Sequence, residues 1–193
     1  MKEIKLCCIL DPAHGRNVIG KMSPDGLHKE YEWSRKRCKE LERILKDNGY
    51  KVEYTTTSDN EPGLTFRKNI ASSLKANGLT KLLISLHNNG AGDGTQWLNA
   101  TGVEIYTTPG KTKSDDYAKI VYDQLQKDFP NLKFRGLKEA DFTVLKGSGY
   151  YAMLIEWLFQ DNKKDIELLE DDKINKKLIN SIFIAIETIN NSL

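Results

Sequence analysis

Two histidines in this chain stand where an apolar run of strand length gives way to small and polar residues. His14 closes the segment CCILDPAH, and His87 closes the segment KLLISLH. Ligand and metal sites collect where the strands of an α/β sheet end at a shared edge. Two imidazoles brought to that edge can hold zinc, and Glu30 and Glu156 complete the candidate site.

The types of His14, Glu30 and His87 suit zinc. Neutral imidazoles and a carboxylate are available as ligands near neutral pH, and three protein ligands leave a fourth position for water. Glu30 begins a predicted helix after the loop that starts at His14, so the two can converge. A strand-end histidine can also be a hydrogen-bonded loop residue, and a glutamate at a helix start favours the helix dipole. The residues alone leave both interpretations open.

Glu156 lies inside the apolar run YYAMLIEWLF. A carboxylate in such surroundings costs free energy to desolvate unless it is protonated, paired or close to a cation. A glutamate beside a metal-activated water is well placed to act as general base. The alternative is a strand end that has reached solvent.

The three cysteines do not form a recognisable metal site. Cys7 and Cys8 are adjacent, so their side chains point to opposite faces of a strand and cannot easily form a disulfide bond. The sequence contains no CxxC or CxxxC pair, so we expect core thiols. Nitrogen and oxygen ligands must then hold any metal.

Charge and hydropathy argue against two classes of partner. The chain has 29 basic and 27 acidic residues, a formal net charge of +2, which gives no strong attraction to nucleic acid or to an anionic membrane. The apolar part of the N-terminal segment MKEIKLCCILDPAHG is too short for a signal peptide or a membrane span. We therefore expect neither a nucleic-acid partner nor insertion into a membrane. We also expect that this chain is made in the cytoplasm and carries no export signal. The sequence does not indicate an oligomeric state.

Strand and helix patterns alternate along the chain, which predicts a single α/β domain over residues 1–193. We expect a twisted, mostly parallel central sheet of about six strands with helices on both faces. The predicted strands are Ile4–Leu10, Lys51–Thr57, Lys81–Leu86, Gly102–Thr107, Phe142–Leu145 and Tyr151–Leu158. The predicted helices are Lys29–Asn48, Leu64–Ala76, Lys113–Phe129, Lys163–Glu170 and Asp172–Asn190.

Four ordered segments give the chain a family resemblance. They are ILDPAHG, the glutamate at the head of the helix in HKEYEW, ISLHNN followed by GVEIY, and LIEWLFQDN. In order and approximate spacing they resemble the zinc-dependent N-acetylmuramoyl-L-alanine amidases, whose pattern is a DPGHG-like segment, a ligand glutamate, an SLHAN-like segment leading to GVE, and E-x-x-F-x-x-N. The resemblance spans about residues 4–190, and the four motifs together are far more specific than any one of them.

The resemblance implies that His14, Glu30 and His87 bind Zn²⁺ and that Glu156 is the catalytic carboxylate. It implies hydrolysis of the amide between the lactyl group of N-acetylmuramic acid and L-alanine, so the expected partner is peptidoglycan. The chain would then act at the bacterial cell wall, as a phage lysin or as a protein from which an export segment has been removed. We expect one catalytic amidase domain without a separate cell-wall-binding domain.

The resemblance and the aromatic residues also suggest substrate contacts. Asn89 and Asn162 fall on asparagines of the family motifs, and we expect both to contact substrate. A glycan with a peptide stem is an extended polymer that requires an open groove. Trp97 in a glycine-rich loop is a candidate to line that groove, and further candidates are Tyr106, Tyr150 and Tyr151.

Several positions leave choices open. Ala13 replaces the usual glycine of the first motif, which matters only if that residue needs a positive φ. Glu32 lies two positions after Glu30, nearly opposite it on a helix, and we choose Glu30 by counting back from the strand at GYKV. His28 is a conceivable substitute ligand. Arg67 resembles a family arginine for which we expect a surface or core-bridging role.

Two other functions are compatible with these residues. A catalytically silent relative could bind peptidoglycan and keep the fold, but retention of all four site residues argues against it. A zinc carboxypeptidase acting on stem peptides would share the metal chemistry. It would also require a cationic group for the substrate carboxylate, and the sequence does not identify one.

Overall fold

A six-stranded sheet forms the centre of the protein, and the computed structural model describes residues 3–193. The strands are Leu6–Pro12 (β1), Lys51–Tyr54 (β2), Thr80–Asn89 (β3), Val103–Thr107 (β4), Phe134–Glu139 (β5) and Tyr151–Phe159 (β6). Their order is β2-β1-β3-β6-β4-β5. Strand β4 runs antiparallel to β6, and every other pair of neighbours is parallel. The prediction of a mostly parallel sheet of about six strands is confirmed.

Helices cover the two faces of the sheet unequally. They are Glu30–Asp47 (α1), Leu64–Ser73 (α2), Lys113–Asp128 (α3), Lys163–Glu170 (α4) and Asp172–Asn191 (α5). Helices α1 and α3 contact strands on one face, and α5 packs against both of these helices. Of the described elements, α2 and a short 3-10 helix, Thr143–Lys146, cover the other face. No helix of the described chain is long and apolar enough to span a membrane.

The thinly covered face changes from apolar to polar toward the carboxyl ends of the central strands. Ile9 and Leu83 lie in the apolar cluster under α2. Side chains two residues apart share a face of a strand, so Asp11 and Ser85 follow them on that same face. Glu156 on β6 is likewise two residues beyond a buried leucine. The lightly covered sheet therefore presents polar groups at one edge.

One predicted strand is wrong, and one strand was missed. The predicted strand Phe142–Leu145 is mostly the 3-10 helix Thr143–Lys146. A strand would place Val144 and Leu145 on opposite faces, whereas both pack into the cluster with α2. Three of the six residues of β5 are charged, every second residue is exposed, and within the described chain the strand pairs only with β4 at the sheet edge. It therefore lacks the apolar run that marks the central strands. The other predicted elements occur, with shifts confined to their ends.

The cysteines behave as core residues. Cys7, Cys8 and Cys38 are free thiols and all three are buried. Burial raises the pKa of Cys8 and of Cys38 far above the ordinary range, so these thiols stay protonated. The expectation of core thiols is confirmed.

Helix α5 provides a test of the core. Ile182 is 0% exposed, and Ile184 on the same helix is 38% exposed. We expect Ile182→Ala to lower the free energy of unfolding by about 2–5 kcal/mol, because it leaves a cavity in the core. Ile184→Ala, the matched control, should cost less than about 1 kcal/mol. Urea unfolding followed by circular dichroism measures both, and equal losses would contradict the packing described here.

Candidate metal centre and active site

Three potential metal ligands from distant parts of the chain meet at the polar edge of the sheet. His14 follows β1, Glu30 begins α1, and His87 lies near the end of β3. The distance from His14 Nε2 to Glu30 Oε2 is 3.5 Å, and that from His87 Nδ1 to Glu30 Oε1 is 3.0 Å. One donor atom from each residue lies within 4.8 Å of the other two. The structure thus brings the predicted ligands together, and their ligand role stays a prediction.

The donor set fits a zinc ion. Zinc bonds to imidazole nitrogen and carboxylate oxygen are about 2.1 Å long, so ligand atoms in a tetrahedral site lie about 3.4 Å apart. The distance of 3.5 Å from His14 Nε2 to Glu30 Oε2 is close to that spacing, while His87 Nδ1 lies at hydrogen-bond distance, 3.0 Å, from the other carboxylate oxygen. Two imidazoles and one carboxylate also leave the fourth position that a catalytic site needs.

Burial and mutual charge interactions shift the pKa values of the three candidate ligands. Burial lowers the pKa of His14 to about 4, so its lone pair is free at neutral pH. Burial acts to raise the pKa of Glu30, but the hydrogen bond and charge of His87 outweigh it and lower the pKa. Burial likewise acts to lower the pKa of His87, and Glu30 reverses that effect and raises it. A metal ion would replace the proton shared by this pair.

The backbone at His14 adopts an uncommon conformation. Its φ is +46°, in the left-handed region that few non-glycine residues occupy. The His14 carbonyl accepts hydrogen bonds from Arg35 Nη2 and Arg67 Nη2, both at 2.9 Å, which hold this conformation. The φ of Ala13 is not positive. Alanine in place of glycine therefore imposes no backbone strain at that position.

Arg67 is a buried bridge between α2 and the end of β1. Its Nη1 donates to Asp11 Oδ1 at 2.9 Å and to the carbonyl of Pro12 at 2.6 Å. Its Nη2 pairs with Glu61 Oε2 at 2.7 Å. Removing one partner of such a buried pair leaves an uncompensated charge. Of the two roles expected for Arg67, the structure supports core bridging.

A second buried carboxylate orients His87 through a serine. Ser85 Oγ donates to Asp11 Oδ2 at 2.6 Å, and His87 Nε2 lies 3.0 Å from Ser85 Oγ. An ionised carboxylate only accepts hydrogen bonds, so the serine proton points toward Asp11 and the serine oxygen accepts from Nε2–H. That arrangement leaves His87 Nδ1, which faces Glu30, as the atom for a metal.

Glu30 has two further supports that the sequence analysis did not identify. Its Oε1 accepts from the backbone N–H of Asn88 at 3.1 Å, and its Oε2 accepts from Gln160 Nε2 at 3.4 Å. Both residues, like Asp11 and Ser85, are part of the four motif segments. They lie within a few positions of the motif histidines and glutamates in the sequence. That proximity is the signal by which the sequence could have indicated their role.

The two alternative ligands have other partners. Glu32 is exposed, and it accepts hydrogen bonds from Tyr31 Oη and Lys29 Nζ. His28 is buried, with Nδ1 at 2.5 Å from Glu170 Oε1 and Nε2 at 2.9 Å from Asn88 Oδ1. Neither belongs to the group of donors around Glu30. The geometry therefore favours Glu30 over both.

Glu156 lies opposite His87 of β3 and Glu104 of β4 in the register of the sheet. Its Oε2 is buried and has no hydrogen-bond partner in the described chain, which argues against a strand end open to solvent. Burial raises the pKa of Glu156 to about 7, against the opposing effect of His87. A carboxyl group with such a pKa can both accept and return a proton near neutral pH.

A β-bulge follows Glu156. Leu158 has a φ of +61° inside β6, and the register with β3 shifts so that Asn89 pairs with Phe159. Bulges of this kind redirect side chains next to functional sites. Beyond it, Gln160 and Asp161 line a cavity together with Glu156.

Two cavities meet at the candidate ligands. One of about 120 Å³ is polar and is bordered by the glycine-rich loop after β3. The other, of about 310 Å³, has apolar walls that include Leu64 and Phe142. His14, Lys21 and Glu156 line both cavities. A substrate with a group on each side of the reacting bond can therefore lie across the site.

Asn89 lies in the polar cavity and supports the glutamate of the GVE segment. Its Nδ2 donates to Glu104 Oε2 at 3.0 Å. Burial acts to raise the pKa of Glu104, but hydrogen bonds from Lys138, Tyr106 and Arg135 outweigh it and lower the pKa to about 2. Glu104 is therefore ionised, and it accepts hydrogen bonds from several side chains at this edge of the sheet. Contact between Asn89 and substrate stays a prediction.

Asn162 has a structural role, and its predicted contact with substrate stays a prediction. Its side-chain oxygen accepts from the backbone N–H groups of Lys164 and Asp165, which caps α4. Its Nδ2 donates to the carbonyl of Ala100 at 3.1 Å. The side-chain oxygen is thus used by the helix cap, and one of the two N–H donors of Nδ2 is used by the loop.

The aromatic candidates separate into two groups. Trp97 is partly buried and stacks under Lys163, whose Nζ lies 5.6 Å from the ring centre; its contact with substrate stays a prediction. Tyr150 and Tyr151 lie where β6 begins, at the opposite sheet edge from Glu156. Five residues of strand span about 17 Å, so these two tyrosines do not line the groove.

Comparison with known proteins gives concordant matches. A family model described as N-acetylmuramoyl-L-alanine amidase matches residues 8–188. The chain is 31% identical over 164 residues to the N-acetylmuramoyl-L-alanine amidase CwlM of Bacillus licheniformis, covering 83% of this chain and 59% of that protein. It is 31% identical over 169 residues to the endolysin of Bacillus phage SPP1, covering 84% of this chain and 58% of that protein. The chain thus spans less than two thirds of these relatives.

A solved structure shows the same fold. The crystal structure of an N-acetylmuramoyl-L-alanine amidase from Clostridium difficile 630 matches with a TM-score of 0.87. The match covers 98% of this chain and 99% of that chain, at 24% sequence identity.

Zinc binding tests the three ligands. We expect His14→Ala, Glu30→Ala and His87→Ala each to weaken zinc binding by more than about 100-fold, because each removes one of three protein donors. Glu32→Ala, two residues from Glu30 and exposed, is the matched control and should bind like the unmodified protein. Equilibrium dialysis with metal analysis measures the affinities. Equal affinity in Glu30→Ala and Glu32→Ala would contradict the assignment.

Zinc affinity also tests the Ser85 bridge. Ser85→Ala removes the group that orients His87, so we expect zinc to bind about tenfold more weakly. Ser181→Ala is the control, because Ser181 is buried and donates to Asp128 Oδ2 at 2.5 Å, away from the site. Each variant removes a buried serine hydroxyl that donates to an aspartate. Unchanged zinc affinity in Ser85→Ala would show that Asp11 and Ser85 do not position the histidine.

Proposed function

Since the chain belongs to the N-acetylmuramoyl-L-alanine amidase family, we propose that it is a zinc-dependent enzyme that hydrolyses the amide between the lactyl group of N-acetylmuramic acid and L-alanine in peptidoglycan. The observation that carries this proposal is the convergence of His14, Glu30 and His87 beside Glu156. We also propose that the described sheet and helices form one catalytic domain that acts at the bacterial cell wall.

His14, Glu30 and His87 would hold the zinc ion. The ion supplies a Lewis acid that polarises the amide carbonyl and acidifies water. The chain keeps this donor set in place through Ser85 and Asp11 behind His87, and through Gln160 behind Glu30. Such supports fix ligand orientation before substrate arrives.

Glu156 moves the proton. It accepts a proton from the attacking water as the bond between the water oxygen and the lactyl carbonyl carbon forms. It then returns that proton to the nitrogen of L-alanine as the carbon–nitrogen bond breaks. Burial and the raised pKa of about 7 suit both steps.

The two cavities accommodate a branched substrate. Both adjoin the candidate ligands, and His14 and Glu156 line both. The scissile amide has the glycan on one side and the peptide stem on the other, so one arm can enter each cavity. This shape supports a bond inside a polymer as the substrate.

A zinc carboxypeptidase is the second candidate function, because the structure places a cation at the site. Lys21 lines both cavities, and it could bind the terminal carboxylate of a stem peptide. The sequence alone does not identify this residue as the carboxylate-binding cation. The two functions release different products and are separated by product analysis.

Digestion of purified sacculi tests the proposal. We expect released stem peptides that carry new free L-alanine amines. Glu156→Gln should retain zinc and lose activity by at least about 100-fold, because it removes the general base. Glu53→Gln, a control on β2 where Glu53 pairs with Lys51, should digest like the unmodified protein.

Other outcomes of this digestion would lead to different conclusions. Shortened stems that remain attached to the glycan would indicate a carboxypeptidase. Binding to sacculi without product would indicate a silent relative. Full activity in Glu156→Gln would reject the general-base role of this residue.

A further inference from the structure

Lys21 is a cation without a partner in the described chain, at the border of the site. It is exposed, and it lines both cavities together with His14 and Glu156. Within residues 3–193, no side chain or carbonyl forms a hydrogen bond or an ion pair with its ammonium group. Its ammonium group is therefore available to a ligand.

The backbone fixes Lys21 relative to the candidate ligands. The N–H of Glu30 donates to the carbonyl of Lys21 at 3.2 Å, and Met22 forms an antiparallel bridge with Lys29. The loop before Lys21 approaches the glycine-rich loop at Gly94, where an added Cβ would lie 3.0 Å from the carbonyl oxygen of Gly20. These contacts tie Lys21 to the start of α1 and to the wall of the polar cavity.

The other cations near the site are already used. Arg67 pairs with Asp11 and Glu61. Arg35 donates to the carbonyls of Ala13 and His14. Among the described cavity-lining residues, Lys21 is therefore the cation that can meet an anionic group of a substrate.

Pairing of the charged groups in the two cavities indicates what Lys21 binds. Asp11 pairs with Arg67, and Asp161 Oδ2 accepts hydrogen bonds from two backbone N–H groups of the glycine-rich loop, so neither carboxylate uses the positive charge of Lys21. Burial dominates the pKa of both His14 and Glu156, and the charge of Lys21 acts to lower each. Its ammonium thus lies within electrostatic reach of the reacting groups. A carboxylate on the substrate would balance this charge.

We propose that Lys21 forms a carboxylate-binding subsite that recognises the free α-carboxylate of the residue that follows L-alanine in the stem peptide. The inference rests on the proposed amidase function and adds a determinant of specificity. One residue spans at most about 3.6 Å, so this carboxylate is the stem anion nearest to the scissile amide. Conversion of that carboxylate to a carboxamide removes the charge that Lys21 recognises.

Three synthetic substrates test the subsite. Each is N-acetylmuramoyl-L-Ala-γ-D-Glu-L-Lys. The first has a free α-carboxylate on the second residue and a C-terminal amide, and the second has amides at both positions. The third has an amide on the second residue and a free C-terminal carboxylate. We expect the zinc-loaded protein to prefer the first over the other two by about tenfold in kcat/KM, since one charge-assisted hydrogen bond is lost.

Variants assign the preference to Lys21. Lys21→Met should lose about tenfold on the first substrate and leave the other two unchanged, whereas Lys21→Arg should retain the preference. Lys29→Met is the matched control, because Lys29 is bridged to Met22, the neighbour of Lys21, and pairs with exposed Glu32. It should behave like the unmodified protein.

Binding provides a readout that is independent of turnover. Fluorescence anisotropy with labelled forms of the three peptides compares Glu156→Gln with the double variant Glu156→Gln/Lys21→Met. We expect the added Lys21→Met change to weaken binding of the first peptide alone by about tenfold.

Three results would overturn the proposal. Equal loss on all substrates in Lys21→Met would assign Lys21 to the reaction and not to carboxylate recognition. A Lys21-dependent preference for the third peptide would assign it to the terminal carboxylate. Equal binding of the first peptide by both Glu156→Gln proteins would remove the subsite. Failure to cleave any peptide, with the Lys21-dependent binding intact, would instead reject the amidase function.

Discussion

The buried carboxylate of Glu30 is the constraint on which the site depends. The side chain is 1% exposed, and an ionised carboxylate in such a place is stable only with compensating partners. It finds them in His87, in the N–H of Asn88 and in Gln160, with His14 at 3.5 Å. These partners lie on both strands and loops, so the start of α1 must meet the ends of β1, β3 and β6 at one point.

A second buried carboxylate, Asp11, stabilises the same edge of the sheet through hydrogen bonds. It accepts from Thr55, Arg67 and Ser85, and Ser85 in turn contacts His87. The two carboxylates therefore act on one imidazole, Glu30 at Nδ1 and Asp11 through Ser85 at Nε2. This arrangement defines the ring orientation before any metal binds. Arg67 connects it to the His14 carbonyl as well, so both histidines share one support.

Unequal covering of the sheet makes the edge accessible. One face is closed by α1, α3 and α5, while in residues 3–193 the other has only α2 and the 3-10 helix. Glu156 lies on the lightly covered face, close enough to the apolar cluster for burial to raise its pKa and close enough to the cavities to meet a substrate. Lys21 approaches the same place from a loop. The site thus combines a rigid sheet edge with one exposed charge.

Local patterns in the sequence determined most of the fold and the four central residues. Apolar runs predicted β1, β3 and β6, and helical stripes predicted α1 and α5, because burial repeats with the period of each element. Tertiary structure alone decided the rest. The edge strand β5 is stabilised by pairing with β4, Asn162 caps a helix, and Asp11 meets Ser85 across 74 residues of sequence. Those roles depend on which groups become neighbours in space, and neither periodicity nor residue type specifies a neighbour far along the chain.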